Sequence, residues 1–294
     1  MTALPSGLQA DVAALRAPGF VSNVRTLAGR ELRDAVKSRW FVLYTIAFAV
    51  LGLAVSFVSA AGTGGLGLAG YGRTTAGLVN LVLLVVPLMA LTAGAASIAS
   101  DRERGMLAFL LAQPVSRTEV LLGKYLGLAS ALLACIALGL GLCALILAWQ
   151  GATANPAGIV WLAGLSVLLA LAMLSVGMLV SVLARRASVG VGTAIFVWLT
   201  LVFVTDLALM AGAVALRLRI TELLALSLLN PLQVFKMWSL LAVDASLDVL
   251  GPAGLYATEE FGTWLHPLLG ACIVPWIVLP LAVAALVLSR RSPL

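Results

Sequence analysis

The stretch 157-AGIVWLAGLSVLLALAMLSVGMLVSVL-183 runs for 27 residues without one Asp, Glu, Lys or Arg. A helix of that length rises about 40 Å, more than the ~30 Å hydrocarbon core of a bilayer. Lipid offers backbone groups no partners, so a segment of this kind must close its hydrogen bonds within one helix. It is read as a transmembrane helix, and that reading sets the class of the whole chain.

Five further segments share its character: 41–60, 78–99, 125–148, 188–216 and 267–288. The composition agrees. The 294 residues are 62% hydrophobic and 10% charged, with a mean hydropathy of +1.13, whereas a soluble domain carries roughly a quarter charged residues. The expected fold is all-α, an integral membrane protein with six transmembrane helices. A β-barrel would show short alternating segments instead. Cys135, Cys143 and Cys272 each lie in an apolar segment with no zinc or haem spacing and read as small packing residues. Residues ahead of Phe41 lack the pattern of a cleaved secretory signal, so the first span is expected to direct insertion.

Basic residues set the orientation. Six precede the first span, from Arg16 to Arg39. Arg102, Arg104, Arg117 and Lys124 follow the second span, Arg185 and Arg186 the fourth, and Arg290 and Arg291 the last. The alternate links hold only Arg73, Arg217, Arg219 and Lys236 of the 18 Lys and Arg. Basic residues favour the cytoplasmic side, so both termini are expected there. The net charge of +6 and pI near 9.7 follow from the same bias and call for no nucleic acid. Trp40, Trp149, Trp161 and Trp264 fall near span ends, as interfacial anchors do.

Residues 1–19 are expected to be a flexible extension, and 20–294 one transmembrane domain. Ahead of the first span, Val24, Leu27, Leu32, Ala35 and Val36 form an apolar stripe beside basic residues, suited to a helix in the headgroup layer. On the outer side, Ile220–Leu229 is apolar but too short to span, and Asn230-Pro231 stops it. A second short helix over Leu232–Val243 would complete a re-entrant pair; a plain loop is the alternative.

Gly62-Thr63-Gly64-Gly65-Leu66-Gly67 has dinucleotide-loop spacing but no preceding strand, and reads as a loop. No glycine-rich phosphate loop ending in Gly-Lys-Ser/Thr occurs, so the chain is expected to hold no nucleotide of its own and to be no enzyme. Gly123 and Gly127 have the spacing that lets helices approach closely, within one chain or between copies; Gly190 and Gly192 read the same way. Asp206 is the one acid well inside a span, open to a pathway role or a structural one. Met173, Met178 and Met210 form no evident metal relay, and His266 reads as interfacial. No metal or catalytic residues are assigned.

The most informative link is Asp101-Arg102-Glu103-Arg104-Gly105-Met106-Leu107, continuing through Leu110, Leu111, Pro114, Ser116 and Arg117 to Gly123-Lys124. Asp101 and Glu103 suit the start of a short helix through its dipole. Met106, Leu107, Leu110 and Leu111 recur at helical spacing, and Pro114 ends the turn. Ser116-Arg117-Thr118-Glu119 then restarts helix into the third span. A short amphipathic helix on the cytoplasmic face is expected, either docking a soluble partner or covering the bundle.

This block resembles the cytoplasmic coupling region of type-2 ABC exporter permeases. Their acidic residue, Gly, Leu pair, Pro-x-Ser-Arg and Gly-Lys match Glu103, Gly105, Leu107, Leu110, Leu111, Pro114, Ser116, Arg117, Gly123 and Lys124, with Met106 where Thr is usual. Arg30-Glu31-Leu32-Arg33-Asp34 resembles the elbow helix of the same family. Asp206-Leu207, and Leu229-Asn230-Pro231 with Val234-Phe235-Lys236, resemble one branch. That is the NosY-like permease group of nitrous oxide reductase maturation. The resemblance implies an ABC permease of the bacterial inner membrane, homodimeric, with two copies of a cytoplasmic ATPase that binds ATP and Mg. In this branch it implies a periplasmic β-helix partner and copper-site assembly, with a sulfur or copper species as cargo. It places ATPase coupling on Asp101, Glu103, Arg104, Gly105, Met106, Leu107, Leu110, Leu111, Pro114 and Arg117, and the elbow on Arg30, Glu31 and Arg33. Asp206, Asn230, Pro231 and Phe235 are the pathway or outer-face candidates. A drug, lipid or polysaccharide exporter permease of the same architecture, a transporter independent of ATP and a membrane scaffold remain open as alternatives.

Overall fold

A computed structural model describes residues 19–61, 67–111, 115–149, 156–215, 218–242 and 252–290. The extension before Gly19, the loop from Gly62, Pro114 and Arg217 lie outside them. Every regular element described is helical: α1 (Phe20–Lys37), α2 (Arg39–Ala61), α3 (Gly67–Glu103), α4 (Met106–Leu111), α5 (Arg117–Trp149) and α6 (Pro156–Leu183). Then follow α7 (Ala187–Leu199), a π-helical turn (Thr200–Val204), α8 (Thr205–Val214), α9 (Ile220–Leu228), α10 (Pro231–Ala242), α11 (Pro252–Phe261) and α12 (Leu265–Arg290).

Five helical stretches are long and apolar enough to cross a membrane unaided: Ala76–Glu103, Arg117–Leu145, Gly158–Leu183, Ala187–Val214 and Glu259–Arg290. α2 adds the sixth as an apolar helix of 23 residues, and α1 joins it at a bend of 62°. α1 is the amphipathic helix expected ahead of the first span. α9 and α10 form the expected pair of short helices, with a bend of 105° at Asn230-Pro231. α11, leading into the last span, was not anticipated.

α3 is the spine of the bundle. Its best window is 67% buried, against 6% for α7–α8, so the fifth span lies on the rim. Close packing follows from small residues. A Cβ on Gly177 of α6 would lie 2.6 Å from Leu91 O, and one on Gly94 of α3 would lie 2.9 Å from Leu174 O. Each backbone occupies the space a side chain would need, which is how helices in lipid gain van der Waals contact. Gly190 brings α7 equally near, its Cβ position 2.8 Å from Ala95 O, whereas Gly192 faces open space. Ser181 of α6 reinforces the crossing by accepting from the Ile98 and Ala99 N–H groups, both at 2.9 Å.

The second and third spans extend beyond the segments expected from hydropathy, and this corrects one expectation. Asp101 and Glu103 do not start a short helix; they close the last turn of α3. Acids at a helix C-terminus oppose the dipole. Contacts from distant helices, which no local pattern displays, hold them there.

Candidate functional site

The site is the corner where α3 ends, α4 lies across and α5 begins. Gly105 makes the corner. Its φ of +73° lies in the left-handed region that a residue with Cβ enters at a cost, and its N–H donates to Arg102 O at 3.1 Å. α4 then spans only six residues. Leu107 and Leu110 are buried, and Met106 and Phe109 are exposed, Phe109 to 63%. The helix is thus anchored by two leucines and presents a phenylalanine outward. The Leu111 side chain and Pro114 lie outside the described residues. Phe109 was missed in the sequence because a six-residue apolar run has too little length for periodicity to separate its faces.

The charged residues around α4 close helix ends. Arg102 Nη1 donates to Ala184 O at 2.6 Å and Val182 O at 3.3 Å, at the end of α6. Glu103 Oε2 accepts the Ala187 N–H at 3.1 Å, at the start of α7. Arg117 Nη1 donates to Leu288 O and Ser289 O, both at 3.0 Å, at the end of α12. Each charge has the sign the helix dipole favours at that end. Ser116 and Glu119 form a capping box: the Ser116 N–H reaches Glu119 Oε2 at 2.8 Å, and the Glu119 N–H reaches Ser116 Oγ at 3.2 Å. The amide of Asn23 in α1 donates to the same carboxylate oxygen at 3.3 Å.

Lys124 ties the corner to α1. Its Nζ lies 2.8 Å from Glu31 Oε2 and 2.8 Å from Asp101 Oδ2, with the side chain only 8% exposed. A buried cation with two carboxylates is held firmly in place, since losing either partner leaves charge uncompensated. Gly123 and Gly127 admit this contact. Their Cβ positions would lie 2.5 Å from Leu27 Cβ and 2.6 Å from Glu31 Cβ, so the small-residue spacing packs α5 on α1 within one chain. Arg30 pairs with Asp34 at 3.7 Å on the surface, and Arg33 is exposed. Arg104 lines the cavity beside α1.

At the opposite end, Asp206 accepts a short hydrogen bond from Gln233 Nε2. Together with Asn80 and Lys236 they line a pocket of about 140 Å³. Asn230 Nδ2 donates to Leu201 O in the π-helical turn at 2.7 Å, and its Oδ1 accepts the Leu232 N–H at 2.9 Å. The turn shifts the usual ladder, and Asn230 satisfies one of its carbonyls. Pro231 and Phe235 are buried, and Phe235 belongs to the hydrophobic core. Gln233 and Asn80 were not singled out in the sequence, where each is one amide among apolar neighbours. Met173 and Met178 are buried and Met210 is exposed; the Met178 sulfur accepts from Ser97 Oγ at 3.1 Å. Trp238 Nε1 donates to His266 Nδ1 at 3.1 Å.

Comparison with known proteins covers most of the chain. The family model described as ABC-2 family transporter protein matches residues 25–292. The chain is 30% identical over 277 residues to the "Probable ABC transporter permease protein NosY" of Stutzerimonas stutzeri, covering 92% of this chain and 99% of that protein. It is 31% identical over 229 residues to the protein of the same name from Pseudomonas aeruginosa, covering 76% and 83%.

Proposed function

The chain belongs to the ABC-2 transporter family, and from that membership we propose how its α4 corner works as the coupling site of an ABC transporter permease. The permease subunit pairs with a separate ATPase that binds ATP and Mg. α4 and its neighbours Asp101 to Arg117 form the docking handle, with Phe109 seated in a groove of the ATPase. The observation that carries this reading is the anchoring of α4. Leu107 and Leu110 are buried while Phe109 is 63% exposed, and Arg102, Glu103, Arg117 and Glu119 bind the corner to α6, α7, α12 and α1. A push on α4 therefore reaches four other helices through the bonded ends of α3 and α5 that flank it.

The α4 end is cytoplasmic by its basic residues, with both termini on that side of the bacterial inner membrane. Two copies of the permease work with two of the ATPase. Closure of the ATPases on ATP displaces α4; Lys124 carries the displacement to the elbow helix α1, and Glu103 carries it to α7. The relatives' name supports a role in nitrous oxide reductase maturation. Copper-site assembly is then the task, through a sulfur or copper species or through action on a periplasmic β-helix partner. Asp206, Asn230, Gln233 and Lys236 are the outer-face residues that meet cargo or partner.

Co-purification tests the coupling claim. The permease should capture an ABC ATPase from its own cell, and Phe109→Asp should abolish capture while the chain elutes as before. Undiminished capture by Phe109→Asp would overturn the assignment of α4.

A further inference from the structure

A cavity of about 530 Å³ lies between α1, α2, α3, α5 and α7. Its mouth is at the α4 end and carries Glu31, Asp34, Asp101, Lys124 and Arg104. Deeper, the wall is mostly apolar, with Phe41, Met89, Leu128, Leu132 and Ile195 around the Tyr44 and Thr92 hydroxyls. A charged mouth above an apolar wall at membrane depth fits an amphiphile rather than a soluble ion.

The balance of charge narrows the headgroup. Lys124 offsets one of its two carboxylates, so that trio keeps one negative charge in excess. Asp34 is offset by Arg30. Arg104 lines the same mouth and has no ion-pair partner among the described residues. One negative and one positive charge thus stand uncompensated among the residues that line one cavity. An anionic headgroup would meet the negative charge that the trio keeps in excess; a purely cationic one would meet Arg104. A phosphate joined to an ammonium satisfies both.

We propose that this cavity binds a zwitterionic phospholipid. Its phosphate takes charge-assisted hydrogen bonds from Arg104, and its ammonium faces Glu31 and Asp101, which share the one excess negative charge. One acyl chain lies along the apolar wall. The volume suits a headgroup and part of one chain, within the ~300–1,000 Å³ usual for small-molecule sites. The remainder leaves between α2 and α7, where Leu43, Ile46 and Phe196 are exposed.

The test uses the full chain in nanodiscs of equal parts phosphatidylethanolamine and phosphatidylglycerol, exchanged into detergent, with retained lipid counted by mass spectrometry. Phosphatidylethanolamine should be retained over phosphatidylglycerol. Arg104→Ala should lower its retention about tenfold, the loss of one charged hydrogen bond. Ala96→Phe, which fills the cavity wall without altering its charges, should lower it comparably. A thermal midpoint identifies a variant that fails to fold, and the other then decides. Preference for phosphatidylglycerol, no enrichment of either lipid, or unchanged retention in a folded variant overturns the proposal. Lipid content of the chain alone is read, so the outcome is independent of whether α4 docks an ATPase.

Discussion

Lys124 Nζ and Glu31 Oε2 meet at 2.8 Å although 93 positions separate them in the chain. The contact joins α1 to the third span, and Asp101 completes it from the second. Lys124→Met leaves two half-buried carboxylates without their cation and should cost about 2–4 kcal/mol, somewhat less than breaking a fully buried pair. The triple variant Lys124→Met, Glu31→Gln, Asp101→Asn should recover most of that loss. Thermal unfolding in detergent reads both; a Lys124→Met chain as stable as the parent would show that the trio holds nothing together.

Gly127 sets how near α1 lies to α5. Its Cβ position is 2.7 Å from Ala28 O, a backbone atom that cannot turn aside. Gly127→Ala should destabilise by about 1–3 kcal/mol through overpacking and raise protease cleavage within α1. Gly141, on the same helix, has nothing within 4 Å. Gly141→Ala should be neutral or stabilising by up to about 1 kcal/mol. Equal effects at the two positions would contradict the close approach.

Gly105 has open space around it and a φ of +73°, so only backbone strain resists substitution. Gly105→Val should cost about 1–2 kcal/mol and, because it re-aims α4, reduce ATPase stimulation more than stability. Gly105→Asn should do less, since Asn enters the left-handed region more readily. The comparison of the two variants in an ATPase assay is the measurement; equal loss would mean that the side chain rather than the turn matters.

Asn230→Ala removes the cap on α10 and orphans the Leu201 carbonyl. A loss of about 1–3 kcal/mol is expected, with faster hydrogen exchange across 200–205. Asn230→Asp keeps the oxygen that caps α10 but loses the donor. Its exchange at 200–205 should rise while the Leu232 amide stays protected, and the reverse pattern would break the link to the π-helical turn.

The spans were legible because lipid imposes one rule on every backbone group, and a 27-residue uncharged run has few ways to obey it. The bend at Asn230-Pro231 was legible because proline and the preceding amide act locally. Asp101 was misread for the opposite reason. Dipole logic placed it at a helix start, whereas Lys124, 23 positions on, neutralises it at a helix end. Glu103 likewise finds its partner at Ala187. Residues whose partners lie on another helix carry no local signature of the pairing. Phe109 and Gln233 escaped for want of pattern: one sits in a helix of a single turn and a half, the other among apolar residues that give no hint of Asp206.

Arg102 and Glu103 stand side by side, yet they serve opposite poles: the arginine closes α6, the glutamate opens α7. The dipeptide therefore has a direction. Written the other way round, with the same composition and the same net charge, it would set each charge against the wrong pole and repel the two helices it now joins. The order of two neighbouring letters thus records which way two helices run that lie about 80 positions further along the chain.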